Sequence, residues 1–398
     1  MSDHRPRIAI LGAGPVGLEA ALAAAERGFP FALYEAARQV AGHVRSWEHV
    51  RLFTPWQLNT SARMRRALTR AGRDVPEGPD CPTGAELVAR VLEPIAQLPE
   101  IRERLRLGVR VERVGRQGLL KHDEIGTPER ARRPFRLLVI DPAGKERLET
   151  ADIVLDCTGN TVSNTLGDGG IPALGERALD GAIRRGVPNF VREALEWAGQ
   201  TVLLVGAGHS AQTALRDLVE LAGRAPGTRV VWAMRSESPT WGAFDDDPLE
   251  ERVRLTSMAD ELAKDPPPCL EMHKGVVVES VLPRDGRHEV ALRRSDGATE
   301  SVSVDRILSL TGQVGDHQIY RQLQVHECYA TAGPMKLAAA LMGASGDCMK
   351  QTSQGAETLA NPESGFFILG SKSYGRRNDF LMRIGWQQVD EVFRLLEE

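Results

Sequence analysis

The stretch RIAILGAGPVGLEAALAAAERGFPFALYEA, residues 7–36, reads as a strand, a glycine turn, a helix and a second strand in succession. Ile8–Leu11 is an unbroken apolar run suited to a buried parallel strand. Gly12, Gly14 and Gly17 then fit the pattern G-x-G-x-x-G, with Pro15 at the start of the helix that follows. In this pattern the first glycine allows a tight turn, the second lets the backbone approach a pyrophosphate, and the third packs helix on strand. The spacing predicts a helix over 15–27 and a strand over 31–34. That strand runs into Glu35, about 20 residues beyond the first glycine, where this fold receives a ribose hydroxyl. A carboxylate there suits FAD or NAD and repels a 2′-phosphate. Read alone, Glu35 would sooner cap an exposed strand end; after a matched strand, loop and helix the ribose reading prevails.

A second copy begins at TVLLVGAGHSAQTALRDL, residues 201–218, with Gly206, Gly208, His209, Ser210 and Ala211 in its loop. Here the predicted elements are a strand over 202–205, a helix over 211–221 and a strand over 229–234. This copy ends at Arg235. A cation in that position pairs with an adenosine 2′-phosphate and favours NADPH, with NADH as the alternative if Arg235 is an unengaged surface residue. Two such fingerprints imply two dinucleotides, and a chain that holds two dinucleotides usually moves electrons between them.

The material downstream of each loop is also alike, as in an internal pseudo-repeat. A hairpin over 135–140 and 147–150 precedes an apolar strand over 152–155 that runs into Thr158-Gly159. In the second half a meander over 275–281, 288–293 and 300–304 precedes a strand over 307–310 that runs into Thr311-Gly312. A small residue and a glycine at a strand's carboxyl end allow a sharp turn beside a bound dinucleotide. Residues 365–370 read as a late strand and 380–396 as an amphipathic helix, bringing Gly370, Ser371 and the helix start to the first dinucleotide. The expected fold class is α/β: two Rossmann-like domains with parallel sheets, each carrying a small antiparallel meander. The expected domains are 1–165 with 355–398, 166–315, and a substrate-facing cap over 316–354.

Composition narrows the class further. With 398 residues, 42% of them hydrophobic and 26% charged, the chain has the makeup of a globular protein with two or three domains. A formal net charge of −4 and arginine runs broken by acidic and apolar residues point away from nucleic acid. Nothing reads as a signal peptide or a membrane span, so the expectation is a cytoplasmic protein with a small-molecule substrate, and a homodimer is compatible with it. The five cysteines form no C-x-x-C pair, which argues against a zinc site.

With these features in place, the whole chain resembles the two-dinucleotide-binding-domain flavoproteins. Within them it is similar to the flavin-containing and Baeyer–Villiger-type monooxygenases and to the thioredoxin-reductase-like enzymes. The resemblance implies FAD on Gly12, Gly14, Pro15, Gly17 and Glu35, and NADPH on Gly206, Gly208, His209, Ser210 and Arg235. Val111 looks like the position whose backbone meets the flavin's adenine. The loop AGHVRSWEHVRLFTPWQLNTS, residues 41–61, is similar to the one these monooxygenases fold over the flavin ring. There Asn59 would hydrogen-bond a C4a-hydroperoxide, Trp47, Phe53 and Trp56 would exclude water, and Arg45 or Arg51 would face the pyrophosphate. On the alternative reading the aromatics are core packing and Asn59 caps a helix beginning at residue 62. The F-x-G-x-x-x-H segment of those monooxygenases is absent from residues 159–201.

The resulting expectation is an NAD(P)H-dependent FAD enzyme, monooxygenase-like, acting on a small nitrogen or sulfur nucleophile. One rival is a reductase that passes electrons to a disulfide through Cys348, with Cys328 as a resolving partner and His317, His326 or Lys350 as acid–base groups. A second is a non-catalytic flavin-binding sensor or maturation partner.

Overall fold

The computed structural model describes residues 5–343, 349 and 351–398; Cys348 and Lys350, both named above, lie outside the described residues. The chain forms two compact units, Met1–Val162 with Val314–Glu398, and Ser163–Gln313. In chain order the first unit opens with β1 (Ile8–Leu11), α1 (Pro15–Glu26), β2 (Phe31–Glu35) and β3 (Leu105–Leu107). A meander of β4 (Arg110–Arg116), β5 (Phe135–Ile140) and β6 (Glu146–Ala151) leads into β7 (Ile153–Asp156). The second unit holds β8 (Ile183–Arg185), β9 (Thr201–Val205), α2 (His209–Arg224), β10 (Arg229–Met234) and β11 (Leu270–Lys274). Its own meander follows, β12 (Val276–Arg284), β13 (Arg287–Arg294) and β14 (Thr299–Val304), and then β15 (Arg306–Ser309). The chain returns to the first unit for β16 (Phe366–Ile368) and α3 (Met382–Leu395).

Each unit is a five-stranded parallel sheet, ordered β16-β7-β1-β2-β3 in the first and β8-β15-β9-β10-β11 in the second. The spatial plan matches, except that the edge strand beside the Thr-Gly strand comes from the chain's return in the first unit (β16) and from before the glycine loop in the second (β8). The glycine-loop strand lies at the centre, flanked by the strand that leads to Glu35 or Arg235 and by the strand that runs into Thr-Gly. All four residues of β1 and of β7 are buried, as expected of parallel strands covered on both faces.

The main core of the first unit packs α1, α3 and the 84–102 segment, including Leu18, Leu22, Leu92, Val389 and Phe393. A second core lies under the meander and takes in Phe135, Leu137, Val139 and Phe366. Residues 316–354, expected as a cap, feed both cores: Ile319, Tyr320 and Leu323 join the meander core, and Leu337 and Leu341 the main one. Glu363 ties this return segment down. Its carboxylate is wholly buried against the guanidinium groups of Arg116 and Arg130 at 2.8 Å each, and it accepts the Gln324 amide at 2.8 Å. The edge strand β3, three residues of mostly exposed side chains, has too little periodicity to be read from sequence.

Candidate functional site

In the first unit, β1 ends where Gly12 turns with φ +92°, and a Cβ there would lie 2.8 Å from the Cys157 carbonyl oxygen. A Cβ on Gly17 would sit 1.8 Å from the Gly12 oxygen. Both glycines are therefore demanded by the fold itself. Gly14 is different: its φ is −80°, which any residue adopts, and a Cβ there would meet nothing within 4 Å. Its missing side chain leaves an open face in front of α1, whose first turn has no side-chain cap and opens with Pro15. Free amides at a helix start, aligned with the helix dipole, are an anion site.

The second unit repeats this division of roles. Gly206, with φ +124°, would bring a Cβ to 2.3 Å from the Leu310 oxygen, whereas Gly208, with φ −73°, meets nothing within 4 Å. The loop is braced from behind. Trp232 Nε1 donates to the Gly206 carbonyl at 2.7 Å and its ring stacks on Trp241, 5.1 Å between centroids. Gln212 Nε2 donates to the carbonyls of Ala207 and Trp241 at 2.9 and 2.8 Å. His209 packs against Gly242, and burial, with Arg252 nearby, pushes the pKa of its imidazole below the ordinary value. Ser210 is exposed on the first turn of α2, and Arg235 is exposed directly after β10. At the closing turn Thr311 donates its hydroxyl to the Asn164 carbonyl at 3.1 Å, and Gly312 turns with φ +91°.

The strand-end acid of the first unit has its own task. Glu35 Oε2 accepts the Ala13 amide and Oε1 the Ala37 amide, each at 2.9 Å. Burial raises its pKa against the pull of these two bonds. Each oxygen keeps a second lone pair, so a ribose hydroxyl can still donate to it. Val109 N donates to the Glu35 carbonyl at 2.9 Å, which starts β4, and with it the buried Val111, beside the acid. Opposite, Gly159 turns with φ +71°, and a Cβ there would lie 3.5 Å from the Ser371 hydroxyl. Gly370 and Gly385 both face Val16 of α1, where Cβ atoms would come within 3.2 and 2.6 Å, so the start of α3 seats against the glycine loop. The structure thus brings Gly12, Gly14, Gly17, Glu35, Thr158, Gly159, Gly370 and Ser371 together at the carboxyl ends of β1, β2, β7 and β16, the edge at which such sheets bind ligands.

The 41–61 loop behaves otherwise. Asn59 is buried, its Nδ2 donating to the Thr54 carbonyl at 2.6 Å and its Oδ1 accepting the Thr54 hydroxyl at 2.7 Å. It does not cap the following helix, Ala62–Arg70; Ser61 does, accepting the Met64 amide at 2.9 Å. Arg45 donates to the Val40 carbonyl and to Glu93, and Trp47 packs on Gly84.

Sequence reasoning missed Lys372 and Asp156. They form an ion pair, Nζ to Oδ2 2.6 Å, with neither side chain exposed. The available signal was a charged residue ending the otherwise apolar strand IVLD, because a buried carboxylate requires a partner. Among the described residues no group of three or more His, Cys, Asp or Glu side chains could hold a metal ion, and no helix is long and apolar enough to cross a membrane.

Fold and cradles together define a protein with two Rossmann-like units. In agreement, residues 10–69 match the family described as NAD(P)-binding Rossmann-like domain. No curated protein matches the sequence. Among solved structures the chain is similar to the bacillithiol disulfide reductase Bdr (YpdA) from Bacillus cereus, with a TM-score of 0.71 and 16% identity over 98% of both chains. It is also similar to T. acidophilum thioredoxin reductase, with a TM-score of 0.60 and 14% identity over 100% of each chain. A third is the Kutzneria sp. 744 ornithine N-hydroxylase KtzI with FADred, NADP+ and L-orn, at a TM-score of 0.64 and 14% identity over 99% of both chains. At these identities the likeness is one of fold.

Proposed function

We propose that the chain is an oxidoreductase that binds FAD in the first unit and NADPH in the second, and that it uses O2 to oxygenate a small nitrogen or sulfur nucleophile. The observation that carries the two-cofactor reading is the pair of cradles. In each, the first glycine is required by packing while the second is not, and its bare face fronts an uncapped helix. The two strand ends differ in charge, with Glu35 suited to ribose hydroxyls and Arg235 to a 2′-phosphate.

When bound, the nicotinamide supplies a hydride and the flavin passes the electron pair to an acceptor. The chain's own part is to bind and orient. The amides at the start of α1 and α2 would hold pyrophosphates, and Glu35 keeps the Ala13 amide in place beside the first. Trp47 and Trp56 supply apolar surface in the 41–61 loop. Anaerobic NADPH should bleach the bound flavin, and admission of O2 should restore it in two spectrally resolved phases with product oxygen derived from O2. Failure to bleach leaves only a non-catalytic flavin protein.

One observation favours a second reading. The Asn59 amide, assigned to oxygen chemistry by the resemblance, is buried and held by Thr54, with one of its two N–H groups on the Thr54 carbonyl, so a reductase working through Cys348 is the alternative. Single-phase reoxidation combined with loss of disulfide turnover in Cys348→Ser supports that alternative and removes the oxygenase.

A further inference from the structure

The closing turns of the two units occupy equivalent places in equivalent sheets, yet they are built differently. Leu11 of β1 pairs with Asp156, and Val205 of β9 pairs with Ser309. Asp156-Cys157-Thr158-Gly159 therefore corresponds residue for residue to Ser309-Leu310-Thr311-Gly312. In both, the carbonyl of the second residue abuts the first glycine of the cradle. In the second unit the strand ends on a neutral serine, whose hydroxyl lies 3.4 Å from that of Thr311. The Rossmann closure as such does not require a charge.

In the first unit a wholly buried ion pair stands there. Lys372 Nζ reaches three acceptors, Asp156 Oδ2 at 2.6 Å, the Asp316 carbonyl at 2.7 Å and Thr158 Oγ1 at 3.2 Å, so each ammonium N–H has a partner. The stem of Lys372 lies on Gly315 and its charge over the Tyr320 ring, 5.0 Å from the centroid. Asp156 Oδ1 in turn accepts both the amide of Thr158 at 3.1 Å and its hydroxyl at 2.6 Å. A buried ion pair is often no more stabilising than apolar residues of the same volume. What it does supply is direction, because its geometry is satisfied in one arrangement of the turn.

We infer that Lys372 is a positioning residue, which acts through Asp156 to hold Thr158 and so sets the Thr158-Gly159 turn for the dinucleotide of the first unit. The inference rests on the reading of that unit as the FAD site. The Thr158 hydroxyl, engaged by both Asp156 and Lys372, is turned inward to the clamp. Gly159 follows this clamp directly, with the Ser371 hydroxyl 3.5 Å from where its Cβ would lie.

The test transplants the second unit's solution into the first. Asp156→Ser combined with Lys372→Met removes both charges together, so neither is left buried alone. The inference expects a folded variant with near-native unfolding temperature and unchanged NADP+ affinity. Its FAD dissociation constant should rise about tenfold or more, with a shifted absorption spectrum for the flavin that remains bound. Thr158→Val should weaken FAD in the same sense, and Thr158→Ser should rescue it. Native FAD affinity and spectrum in the double variant overturn the inference. So does a double variant that fails to fold, since the pair would then serve stability alone. Wild-type protein that binds no FAD overturns the underlying reading instead.

Discussion

Glu35 reaches back over the first glycine loop to Ala13, its Oε2 accepting the Ala13 amide at 2.9 Å. The acid at the end of β2 thus shapes the cradle at β1. Glu35→Gln keeps the size but replaces one acceptor by a donor that faces an amide. The loss of that bond should lower stability by about 1 kcal/mol and weaken FAD retention, read by thermal unfolding and by flavin released on dilution. Burial raises the folded pKa of Glu35, so the folded state binds the proton more tightly than the unfolded chain. Its contribution to stability therefore declines as pH rises from its unfolded value toward its folded one.

Glu363 should show the opposite sign. Burial alone would push its pKa up, but hydrogen bonds from Arg130, the Gln324 amide and Arg116 prevail and hold it below the ordinary carboxylate value. Its stabilising contribution is complete above the unfolded pKa and is lost as pH falls through the folded one. Glu363→Gln leaves two buried guanidinium groups unmatched and should cost about 3–5 kcal/mol, measured by denaturant unfolding at neutral pH. The difference from wild type should shrink in acid.

The glycines of the first loop should separate by phenotype. Gly17→Ala drives a methyl into the Gly12 carbonyl and should yield little folded protein. Gly14→Ala meets nothing within 4 Å and has an ordinary φ, so its unfolding temperature should stay close to native. FAD binding should nevertheless fall steeply, because the methyl occupies the face proposed for the pyrophosphate. Equal loss of folding in both variants would contradict the assignment of that face to a ligand.

Arg235→Ala removes an exposed side chain and should leave stability within about 0.5 kcal/mol of native. The preference for NADPH over NADH should drop by about one to two orders of magnitude, as expected when a phosphate loses a charge-assisted partner. Steady-state kcat/KM for the two nucleotides reads this directly; an unchanged ratio would leave Arg235 a surface residue.

Much of this molecule is written in short range. Ile8–Leu11, the glycine turn and the helix after it are local patterns: an apolar run, a glycine pattern whose first member turns at positive φ, and a helical repeat. The second copy and both Thr-Gly closures are legible on the same grounds, and so was the charge contrast between Glu35 and Arg235. The sequence by itself therefore determined the number of cradles and the fold class.

What only the tertiary structure decided is how side chains from distant segments are used. Asn59 follows its local context in sequence, yet the fold turns its amide inward to Thr54. Glu35 is aimed back at Ala13. Lys372 lies in a polar stretch of sequence, and it is wholly buried because β16 runs beside β7 and carries it to Asp156. A local pattern encodes backbone conformation, because that depends on neighbouring residues. The partner of a buried charge depends on which strands lie side by side, and that is settled only when the sheet closes.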